Sequence, residues 1–496
     1  MGSPATVDAA RDAVVAGLDH DDPIVRLLAT QVRLHAGRVA ELEVDNERLS
    51  AQVARQGEQI KRLQGRLEEA RRAGKRQAAP FSKGIKKTDP ARPGRKPGAD
   101  YGPKARRQPP PPQDVDEVID VPAPSCCPGC GGDVVIDDVI TQHQEEIVPA
   151  STRLRAYRVA LGRCTGCKRR VRNRHPDQTS DATGAAGVML GPVAHAMAAW
   201  LHTGLGVPMG KVSQVLQRLC GLRVTPGGLH SGLHRSAADA TSTYQALIKA
   251  LRRSGAVAAD ETGWRIDAER GWLWVYVGDT VTIYDIAPGR GFCEAERILG
   301  GDFDGVIERD GWAPYRKFTA AAHQTCLAHL HRRCHELIAD AYAGQAKVPH
   351  ALKRILDDAL AVRDDGPDGE QLAAAIAQLT SRIEAFCARQ PTHEPNRKLV
   401  AHIRREADHL LTFLSTPGVA ATNHRAEQAI RPMVVNRKNW GGNKTRRGAD
   451  TTAILASVMR TATQQHLDPI DTVATIRRTS RPPPGLDLTP TRPVSP

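Results

Sequence analysis

Apolar residues recur at alternating intervals of three and four along residues 24–73, which is the pattern of a coiled coil. Heptad position a holds Val25, Val32, Val39, Asn46, Val53, Ile60 and Leu67, and position d holds Leu28, His35, Leu42, Leu49, Gln56, Leu63 and Ala70. β-Branched residues at a with leucine at d favour a parallel homodimer, and Asn46 would fix its register. A single amphipathic helix packed on its own domain is the alternative.

Residues 186–250 also have helical spacing. The pattern predicts helices over Lys211–Leu219 and Thr225–Ser236, with Gly221 in the turn between them. Thr225 suits an N-cap, and Pro226 suits the first helical position. This is a helix-turn-helix pattern, although a helical hairpin that only packs against the next domain fits equally well.

The pattern then changes to short apolar runs that predict a sheet in residues 255–328. GAVAADET predicts a strand that ends on Asp260, and GDFDGVIERDGW predicts another that ends at Asp310. GWLWVYVGD and TVTIYDIAPG predict an antiparallel hairpin. Glu261 should point to the opposite face from Asp260 and be structural.

Helical spacing returns over residues 329–415, and RAEQAIRPMV predicts a further helix at Glu427. Strands followed by helices predict an α/β fold whose sheet is interrupted by a helical insertion.

Composition adds a concentrated basic segment to this outline. The chain has 496 residues, a net charge of +14 and a pI of about 9.5, which favours a polyanionic partner. Residues 71–107 contain 13 Lys/Arg and two Asp, a net charge of +11. Residues 74–124 predict an extended basic linker rich in proline, and residues 476–496 predict a disordered tail.

Three basic residues of the linker resemble a hook for the DNA minor groove. They are Arg92, Arg95 and Lys96, in the segment RPGRKP. Solvated linker charge that contacts phosphates without specificity is the stronger alternative.

No apolar run approaches the roughly 18–20 residues that a membrane span needs. Residues 1–15 carry Asp8 and Asp12 and lack a basic-then-apolar leader pattern. We therefore expect no membrane partner and a cytoplasmic protein, associated with the nucleoid if it binds DNA.

Four of the ten cysteines form two Cys-x-x-Cys pairs within residues 125–175. The pairs are Cys127 with Cys130 and Cys164 with Cys167. Four thiolates from two tight turns suit a closed structural Zn²⁺ site, and a redox role for either pair is the rival.

Cys326 and His329 also have the spacing of metal ligands, but two ligands do not make a site. We expect His329 to lie on a helix near the active centre.

Asp260, Asp310 and Glu427 each stand where the backbone would hold a carboxylate still. Three fixed carboxylates are what two divalent ions need to drive in-line attack on a phosphodiester. Mg²⁺ suits such oxygen ligands, with Mn²⁺ as an alternative. Since most single aspartates are merely solvated, the interpretation requires that the three converge.

The segment RPMVVNRKNWGGNKTRR after Glu427 holds six Lys/Arg and no acid. Candidate phosphate-binding residues are Arg431, Arg437, Lys438 and Lys444. A solvated basic face is the alternative.

These segments resemble the large transposases of the bacterial insertion sequence 66 family. The motifs that carry the resemblance are DETGWRID, GWLWVYV, ERDGWAPY, CLAHLHR and NHRAEQAIRPMVVNRKNWGGNKTRRGA, in the same order over roughly residues 25–475.

The resemblance implies a ribonuclease-H-like core with Asp260, Asp310 and Glu427 as an Asp-Asp-Glu triad. It implies cleavage at the ends of a mobile element and transfer of the 3′-hydroxyl into target DNA. Small accessory proteins encoded by the same element are suggested as further partners.

The predicted modules follow one another along the chain. They are a coiled coil (1–73), a basic linker (74–124), a zinc-binding domain (125–175), a helical DNA-binding domain (186–250), the first part of the core (255–328), a helical insertion (329–415), the second part of the core (416–475) and the tail (476–496). Two other functions remain open: a catalytically silent, dimeric DNA-binding protein with zinc, and a two-metal nuclease of the same fold.

Overall fold

The computed structural model describes most of the chain. The described residues are 12–16, 18, 21–75, 109–145, 147, 150–180, 188–267, 269–342 and 344–489. They belong to two compact units, Met1–Arg107 and Gln108–Pro496. Arg92, Arg95 and Lys96 lie outside the described residues, so their predicted role in DNA binding stays a prediction.

The first unit contains one long helix, α1 (Pro23–Lys75). It starts where Asp22 Oδ1 accepts the N–H of Ile24 at 2.8 Å, with Pro23 at the first helical position. Val39, Leu42 and Leu49 of the predicted a and d positions are each more than half exposed. Side chains of residue 61 and of residues 64–75, including Leu67 and Ala70, are outside the described part. An exposed apolar stripe of this kind needs a partner, so the coiled coil remains a prediction.

The second unit begins with a short antiparallel pair of strands, β1 (Leu161–Arg163) and β2 (Arg170–Arg172). Four helices follow: α2 (Pro192–Ala199), continued by a π-helical turn at Trp200–Gly204, then α3 (Met209–Cys220), α4 (Pro226–Asp239) and α5 (Thr241–Leu251).

The predicted turn between two helices is confirmed. Gly221 ends α3 with a φ of 68°, in the left-handed region that favours glycine. Thr225 Oγ1 caps α4 by accepting the N–H of Gly228 at 3.1 Å. Leu229 and Leu233 of α4 are buried, and His234 Nδ1 lies 2.7 Å from Thr451 Oγ1, so one face of this helix packs against the rest of the unit.

A mixed sheet of five strands forms the centre of the second unit. Its strands are β3 (Ala256–Ile266), β4 (Glu269–Val277), β5 (Thr282–Ala287), β6 (Val306–Arg309) and β7 (Ala322–Thr325), in the order β5-β4-β3-β6-β7. The strands β3, β4 and β5 pair antiparallel, which confirms the predicted hairpin, whereas β3, β6 and β7 pair parallel.

The strand predicted to end at Asp260 instead continues to Ile266. Its pairing with β6 reaches only Ala258, but its pairing with β4 runs from Ala258 to Ile266. The hairpin therefore extends the strand through the polar residues that suggested its end.

Helices connect β5 to β6 and follow β7. α6 (Phe292–Leu299) links β5 to β6, and α7 (Leu327–Ala339), α8 (Lys347–Asp365), α9 (Gly369–Cys387), α10 (Glu394–Glu406) and α11 (Thr412–Ser415) follow β7. The helical spacing predicted over 329–415 is thus present. Leu352, Ile383 and Leu399 of these helices are buried in one apolar cluster with Ala256 and Val306 of the sheet.

Three helices complete the described chain: α12 (His424–Trp440), α13 (Arg446–Gln464) and α14 (Pro469–Thr479). α12 packs on the sheet through Ala426 and Ala429, in one apolar cluster with Ala258 and Leu273. Among the described helices, none is both long and apolar enough to cross a membrane.

The prediction of a disordered tail from residue 476 was wrong for residues 476–489. Residues 476–479 form the last turn of α14, and Leu486 is buried in the core of the second unit. The prolines of this segment gave the tail a disordered composition, but the apolar side chain of Leu486 is stabilised by burial in the core.

Candidate active site

Asp260 lies in β3, and Asp310 directly follows β6, the parallel strand next to β3. The register of β3 with β6 sets Ala258 opposite Glu308. Asp260 and Asp310 each come two residues after this pair, and the charge of Asp310 contributes to the raised pKa of Asp260. Asp310 directly follows β6, as predicted.

The loop that begins at Asp310 is held from several directions. The N–H of Trp312 donates to Asp310 Oδ1 at 2.8 Å, and Arg309 Nη1 donates to the Asp310 carbonyl oxygen at 3.0 Å. A Cβ on Gly311 would clash with the imidazole ring of His402 in α10, so the helices after β7 touch this loop. No local pattern predicted that contact, because it joins residues far apart in the chain.

Glu427 lies in the first turn of α12, where Asn423 fixes the start of the helix. Asn423 is fully buried, and its Nδ2 donates to the carbonyl oxygen of Ala259 at 2.8 Å. Its carbonyl oxygen accepts the N–H of Glu427 at 3.1 Å. One asparagine therefore ties the helix of Glu427 to the residue before Asp260. An asparagine ahead of a helix is an N-cap signal, but here its side chain bonds to a strand.

The three carboxylates interact electrostatically. Burial raises the pKa of Asp260 to about 7, and the charges of Glu261, Asp310 and Glu427 contribute to the rise. The N–H of Glu261, which donates to Asp260 Oδ1 at 2.9 Å, opposes it. A carboxylate whose charge is disfavoured in this way gains from a nearby cation.

The oxygens of Asp260, Asp310 and Glu427 do not all lie within 4.8 Å of one another. In the described part of the chain, the group of three ligand atoms that meets this limit is a different one. A pair of metal ions does not require closer spacing. Ions about 4 Å apart, each about 2.1 Å from its oxygens, can join ligands up to roughly 8 Å apart. The donor set, three carboxylates, fits Mg²⁺ or Mn²⁺.

Glu261 belongs to a buried hydrogen-bond network next to the carboxylates, and burial together with the charge of Asp310 raises its pKa. Its side chain is 1% exposed and accepts hydrogen bonds from Arg290 Nη2 at 2.6 Å and from Tyr315 Oη at 2.8 Å. The Arg290 guanidinium lies 4.7 Å from the ring centroid of Trp272 and 3.9 Å from that of Trp312. The network thereby supports the loop that contains Trp312.

The group that does meet the 4.8 Å limit consists of Cys326, His329 and Glu427. His329 Nε2 lies 3.7 Å from Glu427 Oε1. His329 is in the first turn of α7, which confirms the expectation of a helical residue near the carboxylates. Glu427 was missing from the predicted pair because it reaches Cys326 only through tertiary structure.

Among the predicted phosphate-binding residues, Arg437 lies next to the strand of Asp260. Its Nη1 donates to Thr262 Oγ1 at 3.4 Å, and Thr262 shares its face of β3 with Asp260. Burial lowers the pKa of Arg437. The other three, Arg431, Lys438 and Lys444, are exposed.

The two Cys-x-x-Cys segments fold into turns with the same hydrogen bonds. In each, the first cysteine donates its N–H to the carbonyl five residues later and accepts the N–H from four residues later, at 2.8–3.0 Å. The fourth residue after that cysteine has positive φ in both turns, 75° at Gly131 and 59° at Lys168. Backbone hydrogen bonds, chiefly from Gly129 and Cys167, lower the pKa of Cys127 and Cys164.

The structure does not bring the two pairs together. Within the described residues, no three of the four sulfurs, those of Cys127, Cys130, Cys164 and Cys167, lie within 4.8 Å of one another. A Zn²⁺ site shared by the two turns therefore stays a prediction.

Comparison with known proteins gives one family and two relatives. A family model described as Transposase IS66 family matches residues 187–451. The uncharacterized protein y4qI of Sinorhizobium fredii (strain NBRC 101917 / NGR234) is 24% identical over 230 residues, 41% of this chain and 42% of its own length. The uncharacterized protein y4jD of the same strain is 24% identical over 389 residues, 71% of this chain and 74% of its own length. The alignment thus spans less than half of the first relative.

Proposed function

Because the chain belongs to the IS66 family of transposases, we propose that it is a metal-dependent DNA transposase. It cuts phosphodiester bonds at the ends of an insertion sequence and joins the freed 3′-hydroxyl to target DNA. The observation that supports the proposal is the parallel pairing of β3 with β6 up to Ala258 and Glu308, two residues before Asp260 and Asp310. Glu427 belongs to the helix packed on the same sheet.

We assign the second unit a ribonuclease-H-like core. The mixed strand order β5-β4-β3-β6-β7, with β3 in the middle, supports this assignment. The helices α7–α11 are then an insertion between the second and third carboxylates.

Asp260, Asp310 and Glu427 would hold two divalent ions, Mg²⁺ or Mn²⁺. Bound metal would supply activation of the attacking water or hydroxyl and stabilise the leaving oxygen. The chain's own residues orient these ligands: the N–H of Trp312 holds Asp310, and Asn423 holds the helix start of Glu427. Arg437, beside Thr262, is suited to bind a DNA phosphate next to the carboxylates.

The proposal is tested with the full chain, Mg²⁺ and duplex DNA that carries the element ends found beside the gene. Asp260→Asn, Asp310→Asn and Glu427→Gln should abolish cleavage, while DNA affinity stays within about twofold because a phosphate-dominated interface does not need these acids. Asp302→Asn is the matched control, since Asp302 is exposed before the opposite end of β6. It should cleave like the wild type.

Other results would replace the proposal. Cleavage by any of the three triad variants at the wild-type rate would refute the triad. Cleavage without strand transfer by the wild type would indicate a two-metal nuclease. DNA binding without cleavage in either Mg²⁺ or Mn²⁺ would indicate a catalytically silent DNA-binding protein.

The other modules complete the proposal. Dimerisation through α1 would pair two chains on the two element ends, and Zn²⁺ held by the two cysteine knuckles would stabilise the region between the linker and α2. The exposed basic residues Arg431, Lys438 and Lys444, together with the linker, would contact DNA phosphates.

A further inference from the structure

We propose that Cys326, His329 and Glu427 form a second kind of metal site, one that takes a thiolate-binding divalent ion such as Zn²⁺. Because this site shares Glu427 with the three carboxylates, an ion bound to it would inhibit Mg²⁺-dependent cleavage. The inhibitory effect rests on the proposed function, whereas the binding of the ion does not.

The spacing of the three ligand atoms is close to that of a metal site. All three lie within 4.8 Å of one another, and His329 Nε2 is 3.7 Å from Glu427 Oε1. Tetrahedral bonds of about 2.3 Å to sulfur and about 2.0 Å to nitrogen and oxygen set ligand atoms about 3.3–3.6 Å apart. Small side-chain rotations would therefore close the group around an ion.

The donor set distinguishes this ion from Mg²⁺. A thiolate, an imidazole and a carboxylate are the ligands that Zn²⁺ binds in proteins, whereas Mg²⁺ prefers oxygen ligands only. Three protein ligands also leave a fourth position open. The site thus selects an ion that the three carboxylates alone would not favour.

Backbone N–H groups surround the sulfur of Cys326 and would help to hold a metal-bound thiolate. Cys326 is 1% exposed at the start of α7, and its Sγ accepts the N–H of Asn423 at 3.2 Å. Burial raises the pKa of the Cys326 thiol, and the backbone N–H groups of Asn423, His329 and Ala328 oppose that rise. When the ion binds, the S–H bond breaks, the sulfur keeps the electron pair and the proton goes to solvent.

An ion can reach the group from one side. Side chains of His329 and Glu427 are 34% and 27% exposed, whereas Cys326 lies behind them. His329 Nδ1 is buried and has no hydrogen-bond partner. Within the described residues, no hydrogen bond to Nδ1 therefore fixes the tautomer of His329.

The shared carboxylate gives the site its consequence. Once Glu427 closes on an ion at Cys326 and His329, its oxygens are directed to α7 and are withdrawn from Asp260 and Asp310. Excess Zn²⁺ should therefore stop Mg²⁺-dependent cleavage, even when Mg²⁺ is abundant.

Binding is measured with Co²⁺, whose thiolate complexes absorb light, on the metal-free full chain. The wild type should bind one equivalent of Co²⁺ more than Cys326→Ser. Any Co²⁺ held by the two Cys-x-x-Cys pairs is the same in both proteins and cancels in the difference. Cys334→Ser is the matched control: it removes another buried thiol of α7 that lies outside the group, and it should bind like the wild type. His329→Ala, at a partly exposed position, should lose the same equivalent or bind it at least ~10-fold more weakly.

Equal Co²⁺ stoichiometry and affinity in all four proteins, each with the helical signal of the wild type in circular dichroism, would overturn the site. Inhibition is measured as the Zn²⁺ concentration that halves each variant's own Mg²⁺-dependent cleavage. It should rise at least ~10-fold in Cys326→Ser but not in Cys334→Ser. Binding without inhibition would overturn the sharing of Glu427. If no cleavage occurs under any condition, the proposed function fails, and the Co²⁺ count still decides the site.

Discussion

Replacing Asp260 with asparagine should make the metal-free protein more stable at alkaline pH, although it removes a proposed metal ligand. Burial and the neighbouring carboxylates raise the pKa of Asp260 from 3.8 to about 7. The unfolded chain ionises this group readily, whereas the folded chain resists ionisation. Asparagine removes the charge, and its amide oxygen can still accept the N–H of Glu261, which lies 2.9 Å from Asp260 Oδ1.

The size of the effect follows from the two pKa values. They differ by about 3 units, and each unit corresponds to about 1.36 kcal/mol, so the charged group destabilises the fold by about 4 kcal/mol above pH 7. A raised carboxyl pKa favours folding at low pH. The destabilisation is therefore absent below about pH 3.8, grows as the pH rises toward 7 and then levels off. At pH 4.5 it is about 1 kcal/mol.

Urea unfolding in EDTA, followed by tryptophan fluorescence, measures this difference because Trp264 and Trp274 are buried in the sheet. Asp260→Asn should exceed the wild type by about 4 kcal/mol at pH 8 and by about 1 kcal/mol at pH 4.5. The free energy of unfolding of Asp302→Asn should stay within about 0.5 kcal/mol of the wild-type value at both pH values. Mg²⁺ should narrow the gap by stabilising the wild type alone. Equal stability of wild type and Asp260→Asn at pH 8, or a gap that does not change with pH, would refute the reasoning.

Three further changes test other parts of the molecule. Glu406→Gln should lower the free energy of urea unfolding by about 3–5 kcal/mol, because it leaves the buried Arg309 without its counter-ion. Glu394→Gln, at a half-exposed position on the same helix, should lower it by less than about 1 kcal/mol. Similar losses in the two variants would contradict this reasoning. If α1 pairs two chains as proposed, light scattering should report a monomer for Leu49→Lys and a dimer for Leu34→Lys, which is off the a and d positions. A dimer in both variants would place the interface elsewhere. Removing residues 74–107 should weaken DNA binding and flatten its dependence on salt; an unchanged slope would show that the segment does not contact phosphates.

Elements that depend on local periodicity were predictable from the sequence. The turn at Gly221, the cap at Thr225 and the hairpin after Asp260 are all present, because each depends on residues within a few positions of one another. The position of Asp310 at a strand end was predictable for the same reason. The extension of β3 beyond Asp260 was not, since it results from pairing with β4 and overrides the polar character of the segment.

The fine geometry of the candidate site could not be predicted in the same way. Asn423 gave the signal of a helix cap, but its partner is the backbone of Ala259 on a distant strand. Cys326 and His329 gave the signal of two ligands, and only the packing of α12 against the sheet supplies Glu427 as a third. Leu486 gave no signal within its proline-rich segment, because burial of one side chain depends on a cavity that other elements form. Such contacts depend on tertiary structure, which hydrophobic periodicity does not encode.

The helices between β7 and α12 support the candidate active site and are not a spacer. Glu406, at the end of α10, accepts hydrogen bonds at 2.8–2.9 Å from Arg309 and Thr325, the last residues of β6 and β7. Both partners of the Arg309–Glu406 pair are fully buried. A buried ion pair adds little net stability over apolar residues of similar size, so its main effect here is geometric. Since Arg309 also donates to the carbonyl oxygen of Asp310, the insertion fixes the loop that carries the second carboxylate.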